Sequence, residues 1–171
     1  MKAVVVYESL WGNTRAVARA VAEGIGPEAR AFSTAEATPE RMADVDLIVA
    51  GAPLQAFSLP GDRIRAGIDP SKTQPAPDLS APTLRSWLER LPRGHGRSAA
   101  FETKIRWSPG SATKTIEQEL TKAGYPPLVR AEHFVVGGTE GPLREGELER
   151  ARGWGAGLVS AMAALLVTQR G

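Results

Sequence analysis

Lys2 to Tyr7 (KAVVVY) runs without a break into Glu8-Ser9-Leu10-Trp11-Gly12-Asn13-Thr14, and a helical pattern starts directly behind that turn. The apolar run reads as a short buried strand. In the helix, Val17, Ala18, Val21, Ala22 and Ile25 recur at helical spacing, with Arg15, Arg19 and Glu23 on the other side; Gly24 and Gly26-Pro27 close it. A strand, a tight turn and a helix make an anion site, because the first N–H groups of the helix lack intrahelical partners and its dipole adds partial positive charge. Ser9 and Thr14 offer hydroxyls, Asn13 an amide, and Gly12 lets the backbone close on a ligand. The turn reads as a phosphate cradle; the alternative is a strand–helix turn capped by Ser9 or Thr14 with no ligand. Two common phosphate loops are excluded. No lysine follows Gly12, as the P-loop requires, and a single glycine cannot make GxGxxG.

Working outward, the alternation of strand and helix repeats. Ala29 to Ser33 is a strand candidate, Thr38-Pro39-Glu40 sets an N-cap and a first-turn proline, and Asp46 to Ala50 (DLIVA) is a second continuous apolar run. Leu59 to Pro82 is rich in proline, glycine and polar residues, so an irregular excursion is expected over about 58–82. Ser80-Ala81-Pro82 is expected to cap a helix with the stripe Leu84, Trp87, Leu88 and Leu91. Ser98 to Thr103 is the fourth strand, Ala112, Ile116 and Leu120 mark a helix ending near Gly124, and His133 to Val136 is the last strand. The final helix carries Leu148, Ala151, Gly155, Leu158, Met162 and Leu165 at spacings of three and four, and Trp154, Met162 and Leu166 read as core. This alternation predicts an α/β fold in one domain, residues 1–171, with a parallel sheet covered on both faces, and five strands at this length suit the order 2-1-3-4-5. A ligand then belongs beyond the carboxyl ends of the first, third and fourth strands.

Composition removes several function classes. With no cysteine there is no disulfide, thiolate metal site or cysteine nucleophile, and two distant histidines, His95 and His133, do not suggest a metal centre. A net charge of +2, from 21 basic and 19 acidic residues without a basic run, argues against nucleic acid. No secretion signal is expected, and Leu158 to Val167 is too short an apolar stretch to span a bilayer, so a cytoplasmic, membrane-free protein is expected. Ser9 lacks the GxSxG context of a hydrolase nucleophile. Gly94-His95-Gly96-Arg97 reads as a turn, as do the glycines of Gly138 to Leu143.

Three loops together resemble the flavodoxin superfamily. In the first, Ser9, Gly12 and Thr14 match the pattern Ser/Thr-x-Ser/Thr-Gly-x-Thr that binds the phosphate of FMN, while Trp11 departs from it in the manner of quinone-reductase and flavodiiron relatives. The second, Gly51-Ala52-Pro53-Leu54-Gln55-Ala56-Phe57, is similar to the loop by which such proteins approach the isoalloxazine, with Leu54 in place of the usual threonine. The third is Thr103-Lys104-Ile105-Arg106-Trp107, followed by Ser108-Pro109-Gly110, and Trp107 falls near an aromatic that stacks on the flavin's outer face. Phe101-Glu102-Thr103-Lys104 and Gly138 to Leu143 are similar to actinobacterial-type flavodoxin-domain proteins.

The resemblance implies a flavodoxin-like three-layer sandwich. It implies FMN rather than FAD, held by Ser9, Leu10, Trp11, Gly12, Asn13, Thr14, Pro53, Leu54, Gln55, Ala56, Phe57, Thr103, Lys104, Ile105, Arg106 and Trp107. Two cations, Lys104 and Arg106, beside the ring would stabilise the reduced flavin anion and suit hydride transfer; otherwise both point to solvent or hold acidic substrates. No acidic residue stands at the flavin's pyrimidine edge unless Glu102 serves. Three readings follow. The first is an FMN-dependent oxidoreductase, fed by a redox partner protein or NAD(P)H and passing electrons or hydride to a quinone-like or protein acceptor, as monomer or homodimer. The others are a one-electron carrier and a flavodoxin-like partner-binding module without FMN.

Overall fold

The computed structural model describes residues 1–170. The elements in chain order are β1 (Ala3–Tyr7), α1 (Asn13–Ile25), β2 (Arg30–Ser33), α2 (Pro39–Met42), β3 (Leu47–Pro53), α3 (Asp62–Ala66), a single 3-10 turn (Pro70–Lys72), α4 (Leu84–Glu89), β4 (Arg97–Ile105), α5 (Thr113–Lys122), β5 (Glu132–Val136) and α6 (Glu147–Arg170). All five strands pair in parallel, in the order β2-β1-β3-β4-β5. Val5 of β1 lies beside Ala31 and Val49, and Val49 beside Ala99, so the central register is a row of small and β-branched residues.

Alternation along the strands feeds two cores. Val4, Val6, Ile48 and Ala50 pack with Leu84, Trp87 and Leu88 of α4 and Ile116 and Leu120 of α5. On the opposite face, Val5, Leu47, Val49, Phe101 and Phe134 pack with Val17 and Val21 of α1 and Leu158 of α6. Phe101, Phe134 and Trp154 meet edge to face, with centroids 6.0–6.2 Å apart. Both faces of the sheet are therefore covered, as parallel strands require.

Four expectations change in detail. Thr83, not the Ser80-Ala81-Pro82 segment, caps α4: its hydroxyl accepts the Ser86 N–H at 3.1 Å. β4 extends to Ile105, so Thr103, Lys104 and Ile105 are strand residues and the loop proper starts at Arg106. The excursion is not wholly irregular, since it contains α3 and the 3-10 turn. Finally, Leu166 is half exposed rather than core, and Val167 more so. The reason is length: α6, at about 36 Å, is nearly twice the roughly 20 Å of the α1 it packs on, so α1 cannot cover it all. By length and composition alone α6 could cross a membrane, but Ala151, Leu158 and Met162 are buried against the sheet and α1.

The α1–α6 contact depends on missing side chains. A Cβ on Gly155 would overlap the Val21 carbonyl, and one on Gly24 the Arg152 carbonyl, whereas a Cβ on Gly153 would meet nothing. Gly155→Ala is therefore expected to destabilise by about 1–3 kcal/mol through helix separation. Gly153→Ala should instead stabilise by about 0.5–1 kcal/mol through helix propensity. Urea unfolding of the two variants checks the pair; equal effects would contradict the close approach.

Candidate functional site

The loops that leave β1, β3 and β4 converge at the carboxyl edge of the sheet. In the first, Gly12 stands immediately before α1 with φ 89° and ψ −10°, a left-handed conformation that glycine adopts without cost. No side chain caps α1, so its first N–H groups stay open to the loop's concave side. The Ser9 hydroxyl accepts the Gly12 N–H at 3.1 Å and keeps its own proton for a ligand. Thr14 is buried and shares one hydrogen bond, 2.8 Å long, with the Thr103 hydroxyl of β4, which leaves one of their two protons unspent. Asn13 donates to the Glu140 carbonyl at 3.0 Å, tying the turn to the loop after β5.

Trp11, the departure from the hydroxyl pattern, has a structural job. Its indole N–H donates to the Pro75 carbonyl at 3.2 Å, and the neighbouring Leu10 carbonyl accepts the Asp78 N–H at 2.7 Å. The excursion is thereby fastened to the phosphate-type loop.

In the second loop Gln55 and Ser58 exchange backbone hydrogen bonds of 3.2 and 3.0 Å around Ala56 (φ 45°) and Phe57 (φ 65°). Two consecutive left-handed residues define a type I′ turn, which normally selects Asn-Gly. Alanine and phenylalanine there cost about 1–2 kcal/mol each. The third loop holds the strained turn: Ser111 N–H donates to the Phe57 carbonyl at 3.3 Å, and Gly110 (φ 91°) lies so close that a Cβ would overlap that carbonyl. Phe57 and Trp107 project outward, 69% and 79% exposed. Arg106 sits 5.0 Å from the centroid of the Trp107 ring.

Two buried glutamates brace these loops. Glu102 accepts the Ala112 and Thr113 N–H groups at 2.6 and 3.2 Å, capping α5, and pairs with Lys104 at 3.4 Å. It is thus consumed inside the protein and does not line the cleft, which removes it as a holder of a ligand edge. The Lys104 charge is correspondingly balanced. Glu8 accepts the Leu84 N–H at 2.8 Å and lies 3.4 Å from Arg65, which donates to the Ala81 carbonyl at 2.8 Å.

Between the loops lies a cleft of about 410 Å³, within the usual range for small-molecule sites. Of the residues expected from sequence, Ser9, Leu10, Trp11, Asn13, Thr14, Pro53, Leu54, Gln55, Ala56, Thr103, Lys104 and Ile105 line it. Gly12 shapes the turn without lining the cleft, and Phe57, Arg106 and Trp107 stand outside it. The sequence reading missed Ile64, Ile68 and Thr73 of the excursion, together with Ser108, Val136 and Thr139. The four-residue spacing of Ile64 and Ile68 was the available signal; nothing local marks Thr73. Lys104 is the one charged residue in the lining.

Burial pushes the Glu8 carboxyl up to about 7, against the downward pull of the Leu84 N–H and Arg65. Because that value lies above the ordinary 4.5, the folded state binds more protons between the two values, and stability falls as pH rises through that window. The Tm of the wild type minus that of Glu8→Gln should therefore drop between about pH 5 and pH 8, by the equivalent of about 3 kcal/mol at most. A difference independent of pH would contradict the assignment.

No protein-family model matches the sequence, and no curated protein matches it. Solved structures do match the fold. A flavodoxin from the domain Archaea aligns with a TM-score of 0.65 and 20% identity, over 94% of this chain and 97% of its own. Oxidised flavodoxin 1 from Bacillus cereus gives 0.66 and 17%, over 94% and 98%. The flavodiiron core from Synechocystis sp. PCC6803 gives 0.63 and 19%, over 96% of this chain and 36% of that one. At such identities the likeness is one of fold: the chain has the flavodoxin-like architecture, with its parallel sheet in the order 2-1-3-4-5 between layers of helices.

Proposed function

We propose that the cleft binds FMN and that the protein is a flavodoxin-like oxidoreductase. One observation carries this reading. The uncapped N-terminus of a thirteen-residue helix, reached across a left-handed glycine, opens into a cleft whose lining holds one cation and no carboxylate. That combination favours an anionic, phosphate-bearing ligand. The likeness in fold to solved flavodoxins supports the same reading.

The residues present fit the cofactor. The Ser9 hydroxyl, the spare proton of the Thr14–Thr103 pair and the first N–H groups of α1 would hold the phosphate. Leu54 and Ala56 of the wall after β3, with Lys104 and Ile105 at the end of β4, would hold the ring. FMN bound there would supply reversible electron or hydride transfer, and the protein supplies placement and electrostatics. The strained Ala56-Phe57 turn keeps that wall fixed through Ser111 and Gly110. Of the two cations expected beside the ring, only Lys104 reaches the cleft, and Glu102 balances it. Arg106 and the exposed Phe57 and Trp107 lie on the loops around the cleft and offer a contact surface for an acceptor, quinone-like or protein, and for a donor, NAD(P)H or a redox protein.

Gly12→Asp tests the cradle. Aspartate is strained at φ 89°, as any side chain would be, and it puts a carboxylate against the phosphate; riboflavin as a second ligand separates the charge from the strain. Fluorescence titration should show FMN weakened by about ten- to a hundredfold or more, with riboflavin, which has no phosphate, unaffected. Thr14→Ala should weaken FMN as well and also lower stability by about 1 kcal/mol, because it orphans the buried Thr103 hydroxyl. Equal FMN affinity in Gly12→Asp and wild type would overturn the site.

A further inference from the structure

Two polar atoms in the cleft wall are buried without a hydrogen-bond partner among the described residues: Gln55 Oε1 and Thr73 Oγ1. Thr73 apart, the excursion contributes only apolar residues, Ile64 and Ile68, to the lining of the cleft. Buried polar groups left unpaired cost stability and are rare, so a pair of them on residues that line one cleft points to a ligand that completes them.

The placement is held firmly. Asp69 accepts the Ser71 N–H at 3.0 Å and caps the 3-10 turn that ends just before Thr73. Two residues beyond Thr73, the Pro75 carbonyl receives the Trp11 indole. Thr73 is therefore fixed on the side of the cleft near the phosphate-type loop, whereas Gln55 belongs to the loop after β3. A ligand reaching from one loop to the other passes both. Gln55 Oε1 only accepts, so it needs a donor, which a phosphate dianion cannot supply. A hydroxyl both donates and accepts, and suits either atom.

Resting on the FMN reading, we infer that Thr73 and Gln55 recognise the hydroxyl-bearing ribityl chain between ring and phosphate, and that the excursion is a specificity-determining wall of the site. Thr73→Val and Gln55→Leu each remove one such contact without touching the phosphate loop.

The test is a titration of wild type, Thr73→Val and Thr73→Ser with FMN, riboflavin and lumiflavin, plus thermal melts without ligand. Thr73→Val should weaken FMN and riboflavin equally, by about three- to tenfold, and leave lumiflavin, which lacks the chain, unchanged. Its ligand-free Tm should not fall, since a methyl replaces a hydroxyl that has no partner. Thr73→Ser, which keeps the hydroxyl, should bind as wild type. A loss confined to FMN, a loss shared by lumiflavin, no loss, or a lowered ligand-free Tm would overturn the inference while leaving FMN binding intact. Wild type that takes up none of the three would instead overturn the FMN reading, and this inference with it.

Discussion

Two carboxylates buried at the carboxyl edge of the sheet, Glu8 and Glu102, are the constraint on which the site depends. A buried carboxylate must find donors or lose its charge. Glu102 finds donors, two N–H groups at the start of α5, and faces Lys104. Glu8 accepts only the first N–H of α4 and faces Arg65; its Oε1 has no hydrogen-bond partner among the described residues, and its carboxyl is accordingly pushed up to about 7. Glu8 thereby locks α4 and, through Arg65, the excursion against the end of β1; Glu102 locks α5 and, through Lys104, the loop after β4. Fixed dipoles and charges that the sheet edge would otherwise present to a ligand are spent on holding the walls.

The consequence is a division of labour among the polar groups. Those that brace the cleft are satisfied internally: Trp11 on Pro75, Asn13 on Glu140, Thr14 on Thr103. Those left over are the open end of α1, the spare protons of Ser9 and of the Thr14–Thr103 pair, and the orphaned atoms of Gln55 and Thr73. All of these belong to one cleft or its phosphate-type loop; the further orphan Glu8 Oε1 does not line it. Strain is placed next to it as well, in the Ala56-Phe57 turn that the Gly110 backbone pins. Backbone strain that the surroundings over-determine is a recurrent property of ligand-binding loops.

What could be read in the sequence was local. The alternation of strand and helix followed from apolar runs and helical stripes, the strand order from its fit to a known arrangement of five such units, and the first loop from residues that contact each other within six positions. The excursion wall could not be read, because it is set by pairs far apart in the chain: Trp11 with Pro75, Leu10 with Asp78, Glu8 with Arg65. The misplaced cap of α4 has a local cause instead: Ser80, Ala81 and Pro82 look like a helix start, but Ser80 is taken by Asp78 two residues before it and Thr83 does the capping. Arg106 and Trp107 were expected in the cleft from the resemblance of their loop to one that carries a flavin-stacking aromatic. They lie outside it because β4 runs two residues beyond Thr103 before the chain turns away.

The central claim is that these walls enclose an FMN site. Titration of the purified chain with FMN, followed by flavin and tryptophan fluorescence, tests it directly, since Trp11 lines the cleft. Saturable, mutual quenching at micromolar FMN with one-to-one stoichiometry is the result the account predicts. Unchanged fluorescence at about 100 µM FMN, an affinity too weak for a resident cofactor, would contradict it.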